Sequence, residues 1–216
     1  MLFPYKDDNP RILIPYVTYG IIAINILVFV IQFNLSISSK MAEENFIYSF
    51  GFIPANFSFI TIFTSMFLHG GFSHIMGNMW FLWVFGDNVE GVLGHAKYAL
   101  FYILCGVAAT ISQLLINPAS TIPMVGASGA IAGVLGMYMI RFPKANVHVF
   151  AFIIIFFTTF RIPALFVLGF WFFNQLTNGL GSLGFNTTGG VAWFAHIGGF
   201  IAGIMLNQAF KHIRLE

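Results

Sequence analysis

The chain has 216 residues, of which 58% are hydrophobic and only 7% charged, and its mean hydropathy is +0.87. A soluble domain carries about a quarter charged residues; a chain this apolar cannot cover a water-facing surface, and in lipid its spanning segments must be helices or part of a closed barrel. The nine Lys and Arg are dispersed and leave no basic patch for nucleic acid, and the single cysteine, Cys105, excludes an internal disulfide.

A spanning helix needs about 20 mostly apolar residues. The run from Val17 to Phe33 is followed by no small-residue cleavage site, so it reads as a first span rather than a removable signal. Six spans are expected in all, at about 16–33, 70–87, 97–116, 127–142, 162–178 and 192–210. Phe57–Leu68 follows Pro54 and is interrupted by Thr and Ser, so it is expected to lie at the interface. Val147–Phe157 is too short to cross as a helix and is expected to be an interfacial or re-entrant connector. Gly179–Val191 holds five glycines with Asn186, Thr187 and Thr188, the composition of a mobile cap. The expected architecture is a single membrane domain over 1–216: all-α, polytopic, a six-helix bundle with interfacial elements in the first outer loop.

Charge orients the bundle. With the N-terminus inside, Lys6, Arg11, Lys97, Arg141, Lys144, Arg161, Lys211 and Arg214 fall on the inner side. Only Lys40 falls outside, which is the positive-inside pattern. Both termini are expected to be cytoplasmic, and the compact form points to a bacterial inner membrane.

Ionisable residues within spans are functional candidates, because burying them in lipid is costly. His74 and Asn78 share one face of the second span. Ser128 opens the fourth in Gly126-Ala127-Ser128-Gly129, and His196 lies near the start of the sixth in Ala195-His196-Ile197-Gly198-Gly199. The 13 residues from Ser128 to Arg141 cover about 20 Å of helix. The intervals His196–Lys211 and His74–Asp87 are similar. The three sites therefore fall at one level, about 8–10 Å below the outer surface of a core about 30 Å thick. Gly129-xxx-Gly133 and Gly199-xxx-Gly203 are small-residue faces whose packing would bring Ser128 to His196.

A serine hydroxyl needs a base within hydrogen-bond reach, and neutral imidazole suits that task. The Ser128 backbone N–H, Asn78 and His74 are candidate donors to an oxyanion. Asp87 and Glu90 lie at the inner end of their helix, where they are expected to mark the membrane boundary and cap the helix. No acid is left to orient His196, so a dyad is expected rather than a triad. Cys105, His95, His148 and His212, and Trp80, Trp83, Trp171 and Trp193, read as packing or interface residues.

The ordered set His69-Gly-Gly-Phe-Ser-His74-Ile-Met-Gly-Asn78, Gly86-Asp87-Asn88-Val89-Glu90, Gly126-Ala-Ser128-Gly129 and Ala195-His196-Ile-Gly-Gly199 resembles the rhomboid intramembrane proteases over roughly His69–Gly203. The resemblance implies cleavage of transmembrane segments of other membrane proteins, with Ser128 as nucleophile, His196 as base, and His74 and Asn78 at the oxyanion site. It implies no metal and no cofactor, and only transmembrane proteins and the lipid bilayer as partners. It also implies that Gly179–Val191 is a cap loop and the fifth span a lateral gate. Two positions depart from the family. Many members stack a tyrosine, four residues after the serine, on the histidine, and here that position is Ala132. Many carry Trp-Arg in the first outer loop, where this chain has Ile60-Thr61. The alternatives are a catalytically silent protein of this type that binds transmembrane helices, and a metal enzyme or transporter using His69, His74 and His196, three imidazoles that could hold zinc.

Overall fold

The computed structural model describes residues 2–153, 156–183 and 190–211. Its elements in chain order are β1 (Leu2–Asp7), α1 (Tyr16–Ser38), α2 (Lys40–Phe50), α3 (Phe59–Thr64), α4 (Phe72–Leu93), α5 (His95–Ile116), α6 (Ser128–Arg141), β2 (Asn146–Ile153), β3 (Phe156–Pro163), α7 (Ala164–Ser182) and α8 (Trp193–Lys211). Six of the helices coincide with the six expected apolar segments. Two of them, α1 and α5, are long and apolar enough by themselves to cross a membrane. The pair Phe59–Phe67 and Phe72–Leu93 reaches that standard only together, across an 88° bend. In α7 and α8 the apolar run is diluted by Asn174, Gln175, Asn178, His196 and Asn207.

The core centres on α6, which contacts α4, α5, α7 and α8. Every residue from Gly129 to Tyr138 is buried, so over that stretch the helix has no face left for lipid. It is also short: 14 residues against 22 in α5, a difference of about 12 Å in length. Ser128 is its first residue.

Close packing of α6 on α8 follows from glycine. A Cβ on Gly199 would lie 2.0 Å from the Gly129 carbonyl oxygen, and one on Gly203 would lie 2.0 Å from that of Gly133. The backbones touch where the spacing of small residues indicates, as expected for helices held by van der Waals contact.

Glu90 acts away from its own helix end. It is fully buried and accepts from the Val17 N–H (2.9 Å), the Thr18 N–H (2.8 Å) and the Thr18 hydroxyl (2.7 Å). Its other neighbour is His95 Nδ1 at 2.6 Å. It thus satisfies the open amides at the start of α1, where a negative group also suits the helix dipole. Asp87 pairs with Arg11 at 3.5 Å.

The all-α expectation is corrected in one place. Of the segment 147–157, expected as an interfacial or re-entrant connector, the described residues belong to strands β2 and β3, which with β1 form a three-stranded antiparallel sheet in the order β1-β2-β3. Phe3 lies opposite Phe150, and Val149 opposite Phe160. A short apolar run rich in Val, Ile and Phe does not by periodicity distinguish a buried strand from a helix; a pairing partner decides, and here β1 supplies it from the far end of the chain. Trp80 Nε1 donates to the Pro4 carbonyl at 2.5 Å, fixing the sheet to α4. Asp7 accepts from Asn88 Nδ2 at 2.9 Å and from the Tyr138 hydroxyl. His148, read as an interface or satisfied histidine, meets Asp8 at 2.5 Å.

In the first outer loop Phe57–Leu68 forms α3 and a short 3₁₀ turn, and it is preceded by α2, which the sequence reading did not separate from the loop. Of the expected cap, Gly179–Ser182 continues α7, and residues 184–189 lie outside the described residues. His212 and Arg214 lie outside them too.

Candidate active site

The segment entering α6 is fixed by backbone bonds. Phe52 and Met124 exchange N–H···O bonds of 3.0 and 2.7 Å, and the Gly126 N–H donates to the Ser65 carbonyl at 2.9 Å. Gly126 has φ +126, and a Cβ there would lie 2.8 Å from His74 Nε2. Only glycine accommodates both the backbone and the ring. The turn ends on Ser128 at the first position of α6, where a backbone N–H has no carbonyl one turn earlier to receive it.

His196 is brought to Ser128 by the glycine crossing, since it precedes Gly199 by three residues and Ser128 precedes Gly129 by one. The result is His196 Nε2 at 2.7 Å from Ser128 Oγ. The other ring nitrogen, Nδ1, lies 2.7 Å from Gln175 Oε1. Trp171 lies over the imidazole with ring centroids 5.9 Å apart and planes inclined by 36°, and Trp193 meets it edge-on at 6.3 Å. These contacts answer the departure at Ala132. That residue is fully buried against its neighbours and offers no ring; the contacts to His196 come from Trp171 and Gln175 on α7 and Trp193 on α8 rather than from α6.

Trp171 and Trp193, read as packing or interface residues, both pack against His196. Gln175 was not singled out from the sequence at all. It had a signal: an amide in the middle of an apolar helix needs a partner in lipid, and it falls one turn after Trp171.

His74 and Asn78 lie on one face of α4, as their spacing requires. With Ser128, His196, Gln175 and Trp171 they line an open cavity of about 310 Å³, whose walls also include Phe81, Ile131 and Leu135. All four candidate residues are thus brought together. The Gly70 N–H donates to His74 Nδ1 at 3.3 Å, which turns Nε2 toward Gly126. Asn78 Nδ2 is buried and has no hydrogen-bond partner among the described residues. His69 packs edge-on against His74, with centroids 5.1 Å apart, and does not line the cavity. Among the described residues no three His, Cys, Asp or Glu side chains gather as a metal site. The zinc alternative also conflicts with His196, whose two nitrogens face Ser128 and Gln175.

Chemically, this is a hydroxyl and an imidazole in hydrogen-bond contact beside an amide donor, in a pocket with apolar walls. Comparison with known proteins gives the same direction. Residues 56–211 match the rhomboid domain. Over 154 residues the chain is 29% identical to Rhomboid protein 1, mitochondrial, of Saccharomyces cerevisiae, covering 69% of this chain and 42% of that protein. Over 126 residues it is 32% identical to Rhomboid protease GluP of Bacillus subtilis, covering 56% and 24%. Over 127 residues it is 30% identical to Putative rhomboid protease YdcA of the same organism, covering 59% and 62%. The chain spans less than two thirds of the length of each of these relatives. A rhomboid domain over most of the chain, apolar spanning helices and the ordered motifs agree: this chain belongs to the rhomboid family of membrane proteins.

Proposed function

We propose that the chain is an intramembrane serine endopeptidase that cleaves transmembrane segments of other membrane proteins through a Ser128–His196 dyad. The observation that carries this reading is the 2.7 Å contact between Ser128 Oγ and His196 Nε2 inside the cavity. Ser128 Oγ attacks the scissile carbonyl carbon and gives its proton to His196 Nε2. The tetrahedral oxyanion is met by the Ser128 backbone N–H, by Asn78 Nδ2 and by His74. Collapse expels the amine, which takes the proton from His196. Water then repeats the sequence on the acyl-enzyme and frees Ser128.

The same reading carries the topology: one membrane domain of six spans, with both termini cytoplasmic, in a bacterial plasma membrane. No metal or cofactor enters it. The unpartnered Asn78 amide also favours it, because a buried donor without an acceptor is costly unless a substrate oxygen arrives.

The test is labelling of purified protein in detergent with a fluorophosphonate. Wild type is expected to label, and Ser128→Ala to lose the label. Cleavage of a transmembrane model substrate is expected to persist in strong chelators. Labelling that survives Ser128→Ala overturns the nucleophile assignment. A wild type that is folded yet inert in both assays points instead to a silent helix-binding protein.

A further inference from the structure

We propose that Gln175 is the positioning residue for His196: it fixes the imidazole tautomer in which Nδ1 carries the hydrogen and Nε2 is free to accept from Ser128, and so makes the seating of α7 a condition of catalysis.

A dyad leaves a problem open. A neutral imidazole carries one hydrogen, on either nitrogen, and only one of these forms can take a proton from Ser128. In a triad an acid makes that choice. Here, among the described residues, no carboxyl group contacts His196; its Nδ1 faces Gln175 Oε1 at 2.7 Å. An amide could in principle present either end. The choice is made by the backbone of α7, because Gln175 Nε2 donates to the Trp171 carbonyl at 3.3 Å. An NH₂ group can only donate and a carbonyl oxygen can only accept. Turning the amide over would set two acceptors against each other at Trp171. With Nε2 held by that carbonyl, Oε1 must face the ring, and an acceptor there requires N–H on Nδ1. The lone pair on Nε2 then points at Ser128 Oγ, 2.7 Å away.

Gln175 is 7% exposed, so water does not substitute freely for this bond. Trp171, one turn earlier on the same face, covers the ring. Orientation and tautomer thus come from one face of one helix. That helix is lightly held: among its described residues only Ala164, Leu168, Gln175 and Gly179 are buried. Displacing α7 outward breaks the bond to Nδ1 and uncovers the ring together, leaving Ser128 and His196 in place without a selected tautomer. Seating α7 completes the base.

This inference rests on the dyad reading, and its test separates the two. In wild type with ¹⁵N-labelled histidine, the imidazole shifts of His196, assigned by their loss in His196→Ala, are expected to show hydrogen on Nδ1. Hydrogen on Nε2 overturns the proposal, whatever the protein's activity. Gln175→Met keeps the length and removes the acceptor. It is expected to lower the fluorophosphonate labelling rate and kcat about tenfold, the worth of one neutral hydrogen bond, with KM unchanged. Gln175→Glu restores an acceptor and is expected to recover most of the rate. Gln175→Met that labels at the wild-type rate and keeps hydrogen on Nδ1 overturns the proposal. If Gln175→Met does not fold, the wild-type spectrum and the Glu variant still decide. A wild type that never labels removes the dyad reading, and the tautomer measurement stands apart from it.

Discussion

Gly199→Ala is the sharpest probe of how backbone packing sets the chemistry. The new methyl carbon would sit 2.0 Å from the Gly129 carbonyl oxygen, against an ordinary C···O separation of about 3.3 Å. Neither atom belongs to a flexible side chain, so α6 and α8 must part by about 1.3 Å at this level. Ser128 and His196 sit within one turn of the contact, on opposite helices, and their 2.7 Å hydrogen bond would open to about 4 Å, beyond hydrogen-bond range. Two separate losses follow. Overpacking costs about 1–3 kcal/mol of stability, and a misplacement of about 1 Å between base and nucleophile costs about 100-fold in rate. The assay is fluorophosphonate labelling at a temperature where both proteins are folded, with thermal unfolding in the same detergent. Labelling of the folded variant within threefold of wild type would refute the claim that the glycine crossing sets the dyad distance. Cys105→Ser, buried in α5 and away from the cavity, serves as the packing control and is expected to label normally.

Three further outcomes are expected. Asn78→Ala removes an amide whose Nδ2 has no partner among the described residues; it should lower kcat by about 10²–10³, as for loss of an oxyanion donor, without lowering the unfolding temperature, and a fall in stability with unchanged kcat would make Asn78 structural. Glu90→Gln weakens a fully buried carboxyl acceptor at the start of α1; calorimetry should show a loss of about 1.5–3 kcal/mol, while labelling per folded molecule stays at the wild-type level. The hydrogen bond from His148 holds the Asp8 carboxyl below its usual range. This contribution to stability is present above the unfolded carboxyl value of about 3.9 and is lost as pH falls through the lower folded value. Asp8→Asn should unfold at lower temperature than wild type at neutral pH, with the gap closing toward pH 3; a gap that widens in acid would contradict the assignment.

Much of the site was legible because its signals are local. Ser128 and His196 stand out as polar residues in apolar helices, each within three residues of a glycine expected to pack closely. His74 and Asn78 had to share a face at a spacing of four. The glycines at 129, 133, 199 and 203 announced a backbone contact, and that contact formed. Glu90 shows the limit of local signals. Its position at an inner helix end suggested capping, but the amides it satisfies belong to α1, more than 70 residues earlier in the chain. A carboxyl group's own helix does not reveal which helix end lies beside it.

The sequence by itself determined that this is a membrane protein, where its six long apolar helical segments lie, and where Ser128 and His196 fall on them, because apolar excess, 3.6-residue periodicity and small-residue spacing are properties of contiguous chain. Only the tertiary structure decided that β1 pairs with β2 across about two thirds of the chain, since strand pairing is a long-range choice with no local mark. Only it decided what holds His196. Gln175 and Trp171 are an amide and an aromatic ring on α7, and they acquire a function when that helix is laid against α8, at which point a hydrogen bond of 2.7 Å selects one form of an imidazole.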